Sequence, residues 1–137
     1  MSTNLLNFVA IIGNPDGKIY ASSPGFKMTD HSALSVNEKG EESQYLVSEW
    51  HLLKNLFGGD KIDLTKGFWI DGRKYVVLSI DGNTAYFRCD HGGMCIVKTH
   101  KTFVVGGFSS ADDPKKTGGA CNSIIEDFAL QLMESKF

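Results

Sequence analysis

Long apolar runs are absent from this sequence of 137 residues. A helix that crosses a membrane needs about 20 consecutive apolar residues, and no stretch approaches that length. The first 14 residues, MSTNLLNFVAIIGN, carry no basic region ahead of a short apolar run, which excludes the usual pattern of a secretory signal peptide. We therefore expect a soluble domain.

Cysteine is scarce, and the chain lacks an excess of charge of either sign. The three cysteines, Cys89, Cys95 and Cys121, leave one unpaired and match no disulfide framework, which favours a reducing, cytoplasmic location. Fourteen basic residues stand against 16 acidic ones, for a formal net charge of -2. Because no overall positive field exists to attract a polyanion, a nucleic-acid partner is not expected.

What the chain does contain is ordinary for a globular protein: 42% hydrophobic and 22% charged residues. Its length fits one domain over residues 1–137, large enough to bury roughly two-thirds of its unfolded surface. Near the N-terminus, the apolar stretches Asn7–Gly13 and Lys18–Ser22 flank Asn14-Pro15-Asp16-Gly17. Proline and glycine in that position are typical of a turn, so the pattern predicts a β-hairpin.

The middle of the chain is harder to assign. Residues 27–43 are polar and aperiodic, and we interpret them as mostly loop with at most one helical turn. Leu46, Trp50, Leu53 and Phe57 then recur at helical spacing. This spacing predicts a helix capped by Ser43 and ended after Phe57 by Gly58-Gly59.

The second half shows the alternation of β-strands, followed by one more helix. Glycine-containing turns are predicted at Asp71-Gly72, Asp81-Gly82-Asn83 and Gly92-Gly93, and would join the strands into an antiparallel meander. An apolar stripe predicts a final helix over about Gly119–Ser135. The fold class is therefore α+β, a central antiparallel β-sheet flanked by helices. The predicted strands are KIDL, FWI, KYVVLSI, NTAYFRC, MCIVKT and TFVVGGF.

Four segments in this order resemble the profilin family. They are VAIIGNPDGKIYASSPGF (residues 9–26), the hairpin Lys74–Tyr86, GGMCIVKTHKTFVVGGF (92–108) and the last helix, IIEDFALQLMESKF (124–137). Together they cover most of the chain. The resemblance implies a profilin-like fold and a non-catalytic, cytoskeleton-associated protein that binds monomeric actin and regulates filament assembly.

Site residues follow from the same resemblance. In profilins the actin-binding surface is formed by late strands and the start of the C-terminal helix. When this surface is transferred by position to the present chain, the resemblance implies two cations, an amide, a carboxylate and apolar anchors. Such a mixture is suited to a protein interface. The implied actin-binding residues are Leu64, Lys74, Leu78, Arg88, Gly119, Asn122 and Asp127.

Profilins also bind proline-rich peptides in an aromatic groove. Tyr20 stands where a groove tryptophan is usual, Gln131 where an aromatic residue is common, and only Phe137 keeps its aromatic character. Too few residues precede Val9 for the family's N-terminal helix. The sequence therefore gives only weak support for the binding of proline-rich ligands. The region 27–66 is longer than usual, which predicts a divergent member with insertions around 30–43 and 58–66.

Anionic lipids are a further possible partner. Profilins often bind phosphoinositides, and two basic clusters could hold such headgroups. One cluster has Lys98, His100 and Lys101, and the other has Lys115 and Lys116.

The sequence leaves two alternatives to an actin-binding protein open. One is a small α+β domain that binds another ligand or protein unrelated to actin. The other is a thiol-dependent enzyme, in which Cys89 or Cys95 pairs with a histidine base. The spacing of Cys89, His91, Cys95 and His100 fits no familiar zinc motif, so we expect neither a metal nor a cofactor.

Overall fold

The computed structural model describes residues 8–14, 16–57, 67–89, 92–109 and 118–134. Within these ranges the chain forms nine strands and two helices. The strands are β1 (Phe8–Gly13), β2 (Ile19–Ser22), β3 (Asp30–Val36), β4 (Glu42–Ser48), β5 (Phe68–Ile70), β6 (Arg73–Asp81), β7 (Thr84–Cys89), β8 (Gly92–Lys98) and β9 (Thr102–Ser109), and the helices are α1 (Glu49–Asn55) and α2 (Gly118–Glu134).

Seven of the strands form one antiparallel sheet in the order β2-β1-β9-β8-β7-β6-β5. The predicted N-terminal hairpin and the meander from β5 to β9 are both confirmed. The two are joined because β1 pairs along its whole length with β9, from Phe8 opposite Gly107 to Gly13 opposite Thr102. The segment KIDL, predicted as a further strand, lies outside the described residues.

The glycine-containing turns are partly confirmed. Asp71 and Gly72 connect the paired residues Ile70 and Arg73, with φ values of 52° and 73°, as a tight hairpin requires. Gly82 also has positive φ, 61°, just after β6.

The predicted turn at Gly92-Gly93 is wrong, because both glycines belong to β8. They pair with Cys89 and Arg88 of β7. A Cβ atom on Gly93 would lie 2.6 Å from the carbonyl oxygen of Phe87. The glycine therefore permits a close backbone approach within the sheet.

Residues 27–43 are not mostly loop. β3 and β4 pair in continuous register, from Asp30 opposite Ser48 to Val36 opposite Glu42, as a separate two-stranded sheet. The sequence shows no clear strand pattern here, because apolar residues lie on both sides of the hairpin. In β3, the aliphatic residues Leu34 and Val36 are exposed and the smaller Ala33 and Ser35 are half-buried.

The helix predicted from Ser43 begins later. Ser48 is its N-cap, and the Ser48 hydroxyl accepts a 3.3 Å hydrogen bond from the backbone N–H of His51. Leu46 matches the helical spacing by coincidence, since it lies in β4. The helix ends at Asn55, two residues before the predicted Phe57, and Gly58-Gly59 lies outside the described residues.

The two helices pack on opposite faces of the large sheet. On one face, Leu53 and Leu56, from α1 and its C-cap, join buried residues such as Phe68 and Phe103. On the other face, Ile125 and Ala129 of α2 cover Cys95, Val97 and Val104. The α+β fold with a helix-flanked antiparallel sheet is thus confirmed. In the described part of the chain, no helix has the length and apolarity needed to cross a membrane.

A buried carboxylate connects the two sheets. Glu49, the first residue of α1, is fully buried. Its Oε2 accepts from the backbone N–H of Gly72 at 2.9 Å and lies 3.0 Å from His31 Nε2. Its Oε1 accepts from the N–H of Thr29 at 3.4 Å. One side chain therefore fixes β3, α1 and the β5–β6 turn together.

We predict that Glu49→Ala will lower the free energy of unfolding by about 3 kcal/mol, because it leaves buried N–H groups without an acceptor. Alanine is a good helix former, so a lower helix propensity cannot account for the loss. Urea unfolding measures the effect. Glu42→Ala, at an exposed position of β4, is the matched control and should change stability by less than about 0.5 kcal/mol. Equal effects of the two substitutions would contradict the prediction.

Candidate protein-binding face

On the side of the sheet that carries α2, strands β6 and β7 extend beyond the helix. Tyr86 of β7 lies opposite Cys95, at the margin that α2 covers. Val76 and Arg88 lie opposite each other on the same side and are exposed. We call this surface of β6, β7 and the adjoining side of α2 the binding face.

The strand residues implied by the resemblance are all exposed and close together. Arg88 and Lys74 lie on the same side of the sheet, since Val76 opposes Arg88 and Lys74 precedes Val76 by two residues. Leu78 is 57% exposed and lies at a bulge in β6. The structure therefore brings together Lys74, Leu78 and Arg88.

Lys74 has a defined support. It pairs with Trp69 of β5, and its aliphatic stem lies over Gly67, where an added Cβ atom would be 2.6 Å from Lys74 Cε. Sequence reasoning missed Val76, which is 52% exposed between Lys74 and Leu78. The alternation of β6 could have identified it, because every second residue of a strand shares one side.

Helix α2 joins the binding face through Glu126. The Tyr86 hydroxyl donates a hydrogen bond to Glu126 Oε1, and this bond, by holding the phenolic proton, raises the pKa of Tyr86 to about 12. The half-buried Asn122 is four residues earlier, one helical turn away on the same side. Glu126 was also missed, although its spacing from Asn122 points to it.

The remaining implied residues are distributed as follows. Asp127 is exposed and follows Glu126, on the outward side of α2. Gly119 belongs to the first turn of α2, and Leu64 lies outside the described residues. The binding face thus has cations on its strands, Lys74 and Arg88, and carboxylates on its helix.

A groove lies on the other flank of α2. Its volume is about 410 Å³, and its walls come from β1, from β2 with the turn that follows it, and from Phe128 of α2. Gln131 is exposed and lies three residues after Phe128, on the same flank of the helix.

Tyr20 is at one end of β2, next to this groove. Its ring covers Gly13, where a Cβ atom would be 3.0 Å from the Tyr20 hydroxyl oxygen. The hydroxyl donates to Asp16 Oδ2 at 3.3 Å, and the negative charge of Asp16 raises the pKa of Tyr20. Phe137, the third residue implied for this groove, lies outside the described residues.

The first basic cluster is at the β8–β9 turn. His100 and Lys101 are exposed, and Lys98 ends β8. The Lys101 carbonyl accepts from the Asn14 N–H at 2.8 Å, which places the turn that precedes β2 beside this cluster. Lys115 and Lys116 are outside the described residues. Binding of phosphoinositides at either cluster stays a prediction.

Cys95 does not have the environment that a nucleophilic thiol requires. It is buried where β8 contacts α2, and burial raises its pKa to about 12, with a smaller contribution from Glu126. His51 is on α1, at the face of the sheet opposite to Cys95. His91 is not described. Among the described residues no group of histidine, cysteine and acidic side chains could hold a metal ion.

The exposed face of this α+β domain combines cations, carboxylates and apolar side chains, a mixture suited to a protein interface. A model of the Profilin family matches residues 1–137. The chain therefore belongs to the profilin family, whose members are actin-binding regulators of actin assembly.

Related proteins and solved structures are consistent with this assignment. The chain is 26% identical to Profilin of Tetrahymena pyriformis over 133 residues, covering 93% of this chain and 86% of the relative. It is 27% identical to Profilin-2 of Dictyostelium discoideum over 126 residues, covering 92% and 83%. Acanthamoeba castellanii profilin IB has a TM-score of 0.71 at 25% identity, covering 97% of this chain and 89% of that chain.

One further structure shares the fold. Mouse profilin IIa, solved in complex with a double repeat from the FH1 domain of mDia1, has a TM-score of 0.62 at 17% identity. The match covers 96% of this chain and 89% of that chain.

We predict that Cys95 will resist alkylation by iodoacetamide at pH 8 in the folded protein, because its thiol is buried and its pKa of about 12 leaves almost no thiolate. Peptide mass spectrometry, which reads each cysteine separately, measures the modification. Cys89, which is half-buried, should react sooner, and urea should make Cys95 react at the rate of a free thiol. A folded-state Cys95 that reacts as fast as free cysteine would contradict this and would revive the thiol-enzyme alternative.

Proposed function

We propose that this chain binds monomeric actin through the binding face and thereby regulates filament assembly in the cytoplasm. Membership of the profilin family supports the partner. The observation that carries the choice of surface is the grouping of Lys74, Arg88 and Leu78 on two exposed strands beside Asn122 and Glu126 of α2.

The proposed mechanism needs no covalent step. By occupying one face of an actin monomer, the protein restricts the filament end to which that monomer can add. The exposed Val76 and Leu78 supply apolar contact at the centre of the face. The surrounding cations and carboxylates would orient the partner and speed association, since charged rims act mainly on specificity and association rate.

The binding face is also preorganised. The Tyr86–Glu126 hydrogen bond fixes α2 against β7, and the stem of Lys74 is held over Gly67. Groups that are ordered before binding lose less conformational entropy when the complex forms. A rigid face of this kind suits a partner that is itself folded.

We predict that the double variant Lys74→Glu plus Arg88→Glu will bind actin monomers roughly 100-fold more weakly. Each substitution replaces a cation with a carboxylate, which would repel the acidic groups of actin that the cation is proposed to contact. Titration of labelled monomers and a pyrene-actin assembly assay measure the effect. Lys18→Glu plus Lys101→Glu makes the same change in net charge at exposed positions elsewhere on the sheet and should bind normally. If the unmutated protein has no effect on assembly, or if both double variants behave alike, the proposal fails.

A second candidate function is supported by the groove between β1, β2 and Phe128. Mouse profilin IIa was solved with a repeat from an FH1 domain, and a proline-rich peptide in the polyproline II conformation suits a narrow apolar groove. Tyr20, which is 53% exposed, lies one residue before Ala21 of the groove lining. We therefore propose this groove as the site for any proline-rich ligand.

We predict that Ala21→Glu, which places a carboxylate in the groove lining, will weaken binding of a decaproline peptide at least about tenfold, since the charge must be desolvated under an apolar ligand. Isothermal titration calorimetry gives the affinity. Lys18→Glu lies on the same hairpin outside the groove lining and changes the charge in the same direction, so it should have no effect. No measurable binding by the unmutated protein would remove this second function.

A further inference from the structure

The β3–β4 hairpin, residues 30–48, which we call the arm, carries three exposed aliphatic residues on the side that faces solvent. Leu34, Val36 and Leu46 are 60%, 62% and 75% exposed. The opposite side, toward the body of the protein, carries the buried Val47 and the half-buried Ala33 and Tyr45. A strand pair that served only to cover the core would not need three aliphatic side chains this exposed on its outer side.

The exposed aliphatic residues form one patch. Leu34 lies opposite Gln44, so Leu46 is its diagonal neighbour across the strands, and Val36 follows on the same side of β3. Isolated exposed aliphatic side chains are common on protein surfaces. Three adjacent ones on a small sheet are instead the kind of patch that marks an interaction site.

The arm is held rigid at both ends. At its tip, Asn37 Oδ1 accepts from the backbone N–H groups of Lys39 and Glu41, each at 2.9 Å. At its base, the buried Glu49 carboxylate bonds to Thr29 N–H and contacts His31. The patch is therefore presented on a preorganised support, which reduces the entropy lost when a partner binds.

The base of the arm adjoins the edge of the binding face. The rings of His31 in β3 and Trp69 in β5 are in edge contact, with centroids 4.9 Å apart. Trp69 is the register partner of Lys74, a residue of the binding face. Glu49 also accepts from Gly72, in the turn that leads into β6. The base of the arm thus lies beside the sheet edge that adjoins the binding face.

The size of the patch restricts its occupant. Three aliphatic side chains present only a few hundred Å², against roughly 800 Å² per partner in a stable interface. The patch is too small to hold a second copy of this chain by itself. It is large enough to extend an interface that is already anchored on the neighbouring surface.

We propose that the arm is a second contact element for the actin monomer that docks on the binding face, with Leu34 and Leu46 as its apolar anchors. This inference rests on the proposed function. Segment 30–43, which includes most of the arm, is part of the region in which the sequence predicts an insertion relative to typical profilins. The arm would give this chain contacts that a shorter family member lacks.

The test compares actin-monomer affinity for Leu34→Asn plus Leu46→Asn with that of the unmutated protein. We expect the dissociation constant to rise about tenfold, as for the loss of a moderate apolar anchor. Lys18→Asn, at an exposed position just before β2 at the opposite edge of the sheet, is the control and should not change it. Thermal unfolding confirms that the arm variant is folded, because neither leucine contributes to the core.

The outcomes separate the two proposals. If the unmutated protein binds actin and the arm variant binds equally well, the arm proposal is overturned while the proposed function stands. If the unmutated protein binds no actin, the proposed function fails and the arm proposal fails with it. Sedimentation of the free protein provides the last outcome: a dimer that the arm substitutions abolish would assign the patch to a second copy and overturn the proposal.

Discussion

The central strands β8 and β9 are buried on both faces, and this double burial determines where the other elements lie. From Gly93 to Val97 and from Thr102 to Gly107 every residue is buried. Because both sides of these strands must be covered, α1 with its neighbours packs on one face and α2 packs on the other. A single helix is too narrow to cover a seven-stranded sheet. The flanks of α2 therefore remain open, one as the binding face and the other as the groove.

The arrangement of the arm depends on a different kind of interaction. Burial of Val47 on the inner side of the arm is not directional, so it does not by itself set the orientation of this two-stranded sheet. The orientation is fixed by the hydrogen bonds that converge on Glu49, whose acceptors satisfy backbone groups from two distant segments. Such bonds are directional, so they set the angle at which the arm leaves the body. A polar contact in the interior thus positions an apolar surface on the exterior.

The sequence was most informative where local chemistry and burial agree. Alternation and Asp-Gly turns predicted the meander, and the apolar stripe of α2 predicted its position to within about a residue. The sequence failed where the two conflict. The arm was predicted as loop because its apolar residues lie on both sides of the hairpin. Gly93 was predicted in a turn, although the glycine is required by a cross-strand approach to Phe87. Both depend on long-range partners that a local pattern cannot contain. In the candidate site, the resemblance supplied Lys74, Leu78, Arg88 and Asn122. It did not supply Val76 and Glu126, although strand alternation from Lys74 and helical spacing from Asn122 point to them.

Cys95 lies at the centre of the contact between α2 and the sheet. Oxidation of a cysteine begins with the thiolate, which a buried thiol with a raised pKa scarcely forms. A sulfenic acid at this position would also force polar oxygen into the buried contact between α2 and the sheet. Burial of the Cys95 thiol therefore protects from oxidation the packing that holds α2 between the binding face and the groove.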